Sequence, residues 1–148
     1  MLKKIATTFL YLTFLFSSFT TIAATPEEAK QLINEAVDFY KANGKEKTFT
    51  EINNLNGKLS RGELYIFVYD KNGLVVAHGA NIEEVGKNTM ELKDENGKFF
   101  GREIMQIGND GGSVDYIWLN PLTGKTQEKT TYTILVDDFR FNCGIYKE

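Results

Sequence analysis

The chain has 148 residues, 20 of them acidic and 17 basic, with a formal net charge of −3 and no Lys/Arg cluster, which argues against nucleic acid or an anionic membrane surface as a partner. Its single His and single Cys exclude a structural zinc set, covalent haem attachment and an internal disulfide. A hydrophobic content of 42%, with 11 Phe and 7 Tyr, is enough material for one packed core.

Lys3 and Lys4 precede an apolar stretch from Ile5 to Phe19, and Ile22-Ala23-Ala24 supplies small residues before Thr25-Pro26-Glu27-Glu28. This is the pattern of a cleavable export signal over residues 1–24, cut after Ala24. Thr13, Ser17, Ser18 and Thr20 interrupt the stretch and make it a poor membrane span, although an uncleaved leader would anchor the chain. Residues 25–148 then form one periplasmic domain with 15 basic against 20 acidic residues, a net charge of −5.

Thr25 to Asn43 reads as the clearest helix. Thr25 can cap it, Pro26 suits the first helical position, and Glu27 and Glu28 favour the positive end of the dipole. Ala29, Leu32, Ile33, Ala36, Val37 and Tyr40 form one apolar stripe, and Gly44 ends the element. A second, shorter helix over Lys47–Asn54 would bury Phe49 and Ile52. Leu64–Tyr69 and Leu74–His78 then read as strands joined by the turn Asp70-Lys71-Asn72-Gly73. The first is apolar on both parities, which predicts a strand covered on both faces, by a helix on one and a pocket on the other.

Gly79 to Asp94 has little periodicity and reads as a loop with at most a short helical turn. Asp94-Glu95-Asn96-Gly97 is a turn, and Phe99–Ile107 is a helix candidate. In the strand Ser113–Leu119, Val114, Tyr116 and Trp118 share one face and Asp115 and Ile117 the other. The turn Asn120–Gly124 leads into Glu128–Val136, and Asp137-Asp138 into a last strand, Phe139–Tyr146. Cys143, among Phe139, Phe141 and Ile145 at period two, is expected to be a buried apolar thiol. A helical arm followed by a meandering antiparallel sheet makes the fold class α+β.

Catalytic signatures are missing from the sequence. There is no G-x-x-x-x-G-K, no G-x-G-x-x-G after a strand and no G-x-S-x-G. The Asp70–Gly73 and Asp94–Gly97 segments lack the distal Glu and flanking helices of a calcium loop and read as plain turns.

Several segments recur together in one known pattern: Tyr69-Asp70, Ala77-His78, Gly86-Lys87-Asn88, Lys93-Asp94 with Gly97-Lys98, Tyr116-Ile117-Trp118, Asn120-Pro121, Lys129 with Tyr132, and Gly144-Ile145-Tyr146. In this order and spacing they resemble the single Cache family, extracytoplasmic relatives of PAS domains. The resemblance implies a PAS-like antiparallel sheet with a long N-terminal helix packed on it and a ligand pocket on the sheet's other side. It also implies a sensor of chemoreceptors or histidine kinases, many of which bind small carboxylates or amino acids. Because the sequence stops two residues after Tyr146, a free-standing secreted member is expected, acting without its own signalling output.

The chemistry of a carboxylate site singles out residues independently. An anion in a partly dry pocket needs a cation and directed donors. Lys129 can supply the charge; Tyr116, Tyr132, His78 and the Trp118 indole can donate, and Trp118 can wall off an apolar tail. Tyr65 and Tyr146 read as core. Lys129 and Tyr132 are three residues apart, so a regular strand sends them to opposite faces unless a bulge re-aims one. The expectation is a non-enzymatic, small-molecule-binding domain without metal or cofactor. It would be a monomer or weak homodimer, with a membrane receptor or kinase as its downstream partner. Two alternatives differ in class: a protein-interaction accessory docking on a membrane sensor, and a small hydrolase using His78 with Ser113 or Thr131 as nucleophile.

Overall fold

The structure, a computed structural model, describes residues 23–147; the leader expected over residues 1–24 lies, but for Ala23 and Ala24, outside the described residues. Helix α1 runs over Pro26–Asn53 and starts as the sequence dictates. The Thr25 hydroxyl accepts from the Glu28 amide while the Glu28 carboxylate accepts from the Thr25 amide, a reciprocal capping box behind Pro26. Gly44 interrupts it with a left-handed φ of +78°, so the two expected helices follow one another across a kink. Among the described residues, no helix is long and apolar enough to cross a membrane.

The strands are β1 (Ser60–Arg61), β2 (Leu64–Asp70), β3 (Val75–His78), β4 (Gly112–Leu119), β5 (Thr126–Val136) and β6 (Phe139–Tyr146). They form one antiparallel sheet in the order β1-β2-β6-β5-β4, with β3 pairing along β2. A short helix α2 (Phe100–Gln106) and two 3-10 turns, Ile82–Glu84 and Thr89–Glu91, lie between β3 and β4. The expected loop between β3 and α2 is therefore more structured than its sequence suggests. Asn81 and Asn88 each accept a backbone N–H to open one of the turns.

Alternation along the strands sorts the side chains into two cores. On one face, Ile66 and Val68 of β2, Ala77 of β3 and Phe141 and Cys143 of β6 pack with Ala29, Leu32, Ile33, Ala36 and Val37 of α1. Cys143 is fully buried there, and burial pushes its thiol pKa up to about 12. On the opposite face, Tyr65, Phe67 and Tyr69 of β2 meet Val114 and Tyr116 of β4, Tyr146 of β6 and Phe100 and Ile104 of α2. Both expected coverings of β2 are present, and α2 supplies the roof on the second.

Candidate functional site

The second face encloses a small cavity of about 10 Å³, room for about one water. His78, Tyr116, Trp118 and Lys129 all line it, together with Tyr65, Phe67, Tyr69, Val75, Glu84, Leu92 and Phe100. Four of the five residues singled out from the sequence are thus brought to one place. Tyr132 is not. Strand β5 pairs regularly with both neighbours, Tyr116↔Lys129 and Ser113↔Tyr132 on one side and Lys129↔Tyr146 and Tyr132↔Cys143 on the other. No bulge re-aims either side chain, so Tyr132 packs against the α1-facing core, with the Lys30 ammonium 5.0 Å from its ring centroid.

Lys129 is the centre of the site. Its side chain is 1% exposed, yet its ammonium donates to a single hydrogen-bond partner, the Tyr65 hydroxyl at 2.6 Å. The rest of its surroundings are ring faces: Tyr65, Tyr146 and Phe67, at 4.3, 4.9 and 5.0 Å from Nζ to centroid. No described carboxylate pairs with it. Burial therefore lowers its pKa from 10.5 to about 7.

The hydrogen bonds beyond Lys129 have one consistent direction. The Tyr146 hydroxyl donates to the Leu119 carbonyl at 2.8 Å and so accepts from Tyr65 at 3.0 Å, leaving the Tyr65 oxygen to accept from Lys129. Tyr65 and Tyr146, read from the sequence as core, are therefore the lysine's direct and indirect partners. The clue available was period two along Tyr65-Ile66-Phe67-Val68-Tyr69, which puts three aromatics on the face away from α1.

Gly144 was not singled out either. It lies on β6, between Lys129 on β5 and Tyr65 on β2, and an added Cβ would collide with the Lys129 Cε. Absence of a side chain at 144 is what lets Lys129 lie across β6 and reach Tyr65.

The other candidates differ in freedom. His78 is paired with Phe67 across β2–β3, and its ring lies 5.1 Å from that of Tyr65 and 5.6 Å from that of Phe67. Its Nδ1 accepts from the amides of Asn81 at 3.0 Å and Ala80 at 3.3 Å. Burial, then the charges of Lys129 and Lys87, lower its pKa to about 3, so the ring is neutral with its proton on Nε2. Tyr116 stacks on Phe100 with centroids 4.2 Å apart and planes 5° from parallel, and its hydroxyl pairs with Thr131 Oγ1 at 2.9 Å. Trp118 meets the same Phe100 ring edge-on. Ser113 belongs to the opposite face of β4, and the Thr131 hydroxyl is engaged by Tyr116, so neither is presented to His78 as a nucleophile.

A larger open groove of about 810 Å³ runs between the start of α1, the β1–β2 turn and the β4–β5 turn. Arg61, Glu63, Asn120 and Gln127 line it, and its polar groups bond one another: Asn120 donates to Gln127 and to Glu63. Lys129 does not line it, so the small cavity is the stronger candidate despite its size.

Comparison with known proteins agrees with this architecture. A methyl-accepting chemotaxis protein from Vibrio parahaemolyticus superposes with a TM-score of 0.69 at 23% identity, covering 81% of this chain and 86% of that one. A Cache chemosensory domain solved for its carboxylic acid recognition gives 0.62 at 19% identity, covering 82% and 88%. At these identities the likeness is one of fold. The sensor histidine kinase MctS of Rhizobium johnstonii is 28% identical over 81 residues, which is 54% of this chain but only 18% of that kinase. The sequence profile of the Single Cache domain 2 family matches residues 16–146, and the chain belongs to that family.

Proposed function

We propose that the chain is a periplasmic sensor module that reversibly binds a small carboxylate at Lys129, exported by the leader at residues 1–24 and acting through a membrane receptor or kinase. One observation carries this reading: a fully buried ammonium whose only hydrogen-bond partner among the described residues is a tyrosine hydroxyl. A buried cation without a counter-charge is costly, and an anionic ligand supplies the missing charge. His78 and Trp118 line the same cavity and offer further N–H donors, while Phe100 and Leu92 supply apolar wall for a tail. The carboxylic acid bound by one fold neighbour fits this chemistry.

The test is a thermal-shift and calorimetric screen of short carboxylates, among them acetate, propionate, lactate and pyruvate. A ligand at a hundredfold its Kd is expected to stabilise the domain by about 2.7 kcal/mol. Lys129→Met should weaken its affinity about ten- to a hundredfold, the value of a charged hydrogen bond. Equal affinity in the variant would refute the site. The interaction-module reading draws on the cavity's being nearly filled by side chains, about 10 Å³. It gains the preference if a well-folded protein binds no small molecule.

A further inference from the structure

The acid's identity turns on the cavity wall opposite the sheet, and this inference rests on the carboxylate reading above. A volume of about 10 Å³ is smaller than any carboxylate, so entry of a ligand displaces wall side chains. The wall residues outside the sheet are Glu84, Leu92 and Phe100. Phe100 is locked by its stack on Tyr116, and the adjacent Gly101 packs so closely on the Thr89 backbone that a Cβ would collide with it. Glu84 and Leu92 stand instead on or beside the single-turn 3-10 segments, where no strand ladder holds the backbone.

The charge inventory of the cavity is short. Among the described residues, Lys129 is the only cation that lines it, and Glu84 the only anion. The Glu84 side chain is 14% exposed and its carboxylate pairs with Lys87 at 2.8 Å, so the charge of Lys87 is already engaged. Arg140 shares the sheet face, but it donates to the Met105 carbonyl at the end of α2 and does not line the cavity. A ligand with one carboxylate satisfies Lys129. A second carboxylate would find no further cation in the cavity lining and would meet Glu84 in a poorly solvated site; taking Lys87 for itself would leave Glu84 unpaired.

We propose that Glu84 is a specificity-determining residue that restricts the site to acids with a single carboxylate. Rejection here comes from a repulsive group built into the wall, not from a better fit to the preferred acid.

Calorimetric titration of the whole purified protein at pH 6.5 and fixed ionic strength tests it, with propionate against malonate and butyrate against succinate as probes. The wild type is expected to bind each monoacid at least tenfold more tightly than the diacid of equal length. Glu84→Gln should narrow that ratio at least tenfold through tighter binding of the diacid. Lys87→Gln, which leaves the Glu84 charge in place without its partner, should preserve or widen it. An unchanged ratio in Glu84→Gln, or a wild type that binds malonate as tightly as propionate, overturns the role of Glu84 while the carboxylate site stands. Failure of all four acids to bind, together with the acetate, lactate and pyruvate of the screen above, overturns the carboxylate reading and this inference with it.

Discussion

Replacing Lys129 by Met removes a buried charge and keeps the volume, and it is expected to stabilise the domain by an amount that depends on pH. In the folded state the Lys129 pKa falls from 10.5 to about 7, which at 1.36 kcal/mol per pH unit corresponds to a penalty of about 5 kcal/mol for the charged form. Between about pH 7 and 10.5 the unfolded chain holds a proton that the folded one has released, so wild-type stability rises with pH across that window. The penalty is nearly complete at pH 6 and about 2 kcal/mol at pH 9. Loss of the hydrogen bond to Tyr65 offsets about 1 kcal/mol at both. Lys129→Met should therefore exceed the wild type by about 4 kcal/mol at pH 6 and by about 1 kcal/mol at pH 9. His78, at about 3 in the folded state, does not titrate there in this range, and its unfolded state is common to both proteins. Urea unfolding of the two proteins at both pH values measures the difference. A less stable variant at pH 6, or a gap that changes by under about 0.5 kcal/mol, would refute the account of Lys129 as an uncompensated buried cation.

Further expectations follow from the same geometry. Carboxylate affinity should fall about tenfold per pH unit above pH 7, because the anion binds the protonated lysine; a flat titration series from pH 6 to 9 would show that Lys129 does not hold the ligand. Gly144→Ala places a methyl against Lys129 Cε and Thr131 Oγ1 and should cost about 1–3 kcal/mol in thermal unfolding, with at least tenfold weaker propionate binding. Wild-type affinity in that variant would mean that the lysine does not need to cross β6. Tyr65→Phe removes the partner of Lys129 and should alter propionate affinity, whereas Tyr132→Phe, on the other face of β5, should leave it within about twofold, both read by calorimetry.

The fold was legible because its signals are local and repeated. The Thr25-Pro26-Glu27-Glu28 start of α1, the Gly44 break, the continuous apolar run of β2 and the alternation in β4 each follow from short-range rules, and the tertiary structure did not override them. The site was legible only in part. His78, Tyr116, Trp118 and Lys129 converge, because each lies on a strand whose facing could be counted. Tyr132 failed by the same count, since three residues along a regular strand reverse the face. Glu84 and Leu92 had no such frame, for they sit in a segment with no strand or long-helix period. The face of Tyr65 could be counted, but its pairing with Lys129, and the part of Gly144 between them, required the strand order β5-β6-β2, a non-local fact that no periodicity encodes. The shared motif also mixed two kinds of residue. Asp70, Asn88, Asp94 and Asn120 each accept backbone N–H groups in a turn and act as scaffold, while His78 and Lys129 line the cavity and Gly144 and Tyr146 pack against its lysine.

The two faces of the sheet explain how a domain of this size carries an unpaired cation. On the α1 side the contacts are almost wholly apolar, with Ile66, Val68, Phe141 and Cys143 closed against the helix stripe. On the other side the central strands bury Lys129, Thr131, Thr133, Arg140 and Asn142, and among the described residues Thr133 Oγ1, Arg140 Nη1 and Asn142 Oδ1 have no hydrogen-bond partner. Buried polar atoms left unmatched cost stability, so a face optimised for folding alone would replace them with apolar side chains. Because β2 and β6 take part in both faces, the apolar layer fixes the backbone on which the polar layer is displayed. Stability is then concentrated on the apolar face, and the polar face is left to hold the buried charge for which an anionic ligand is proposed.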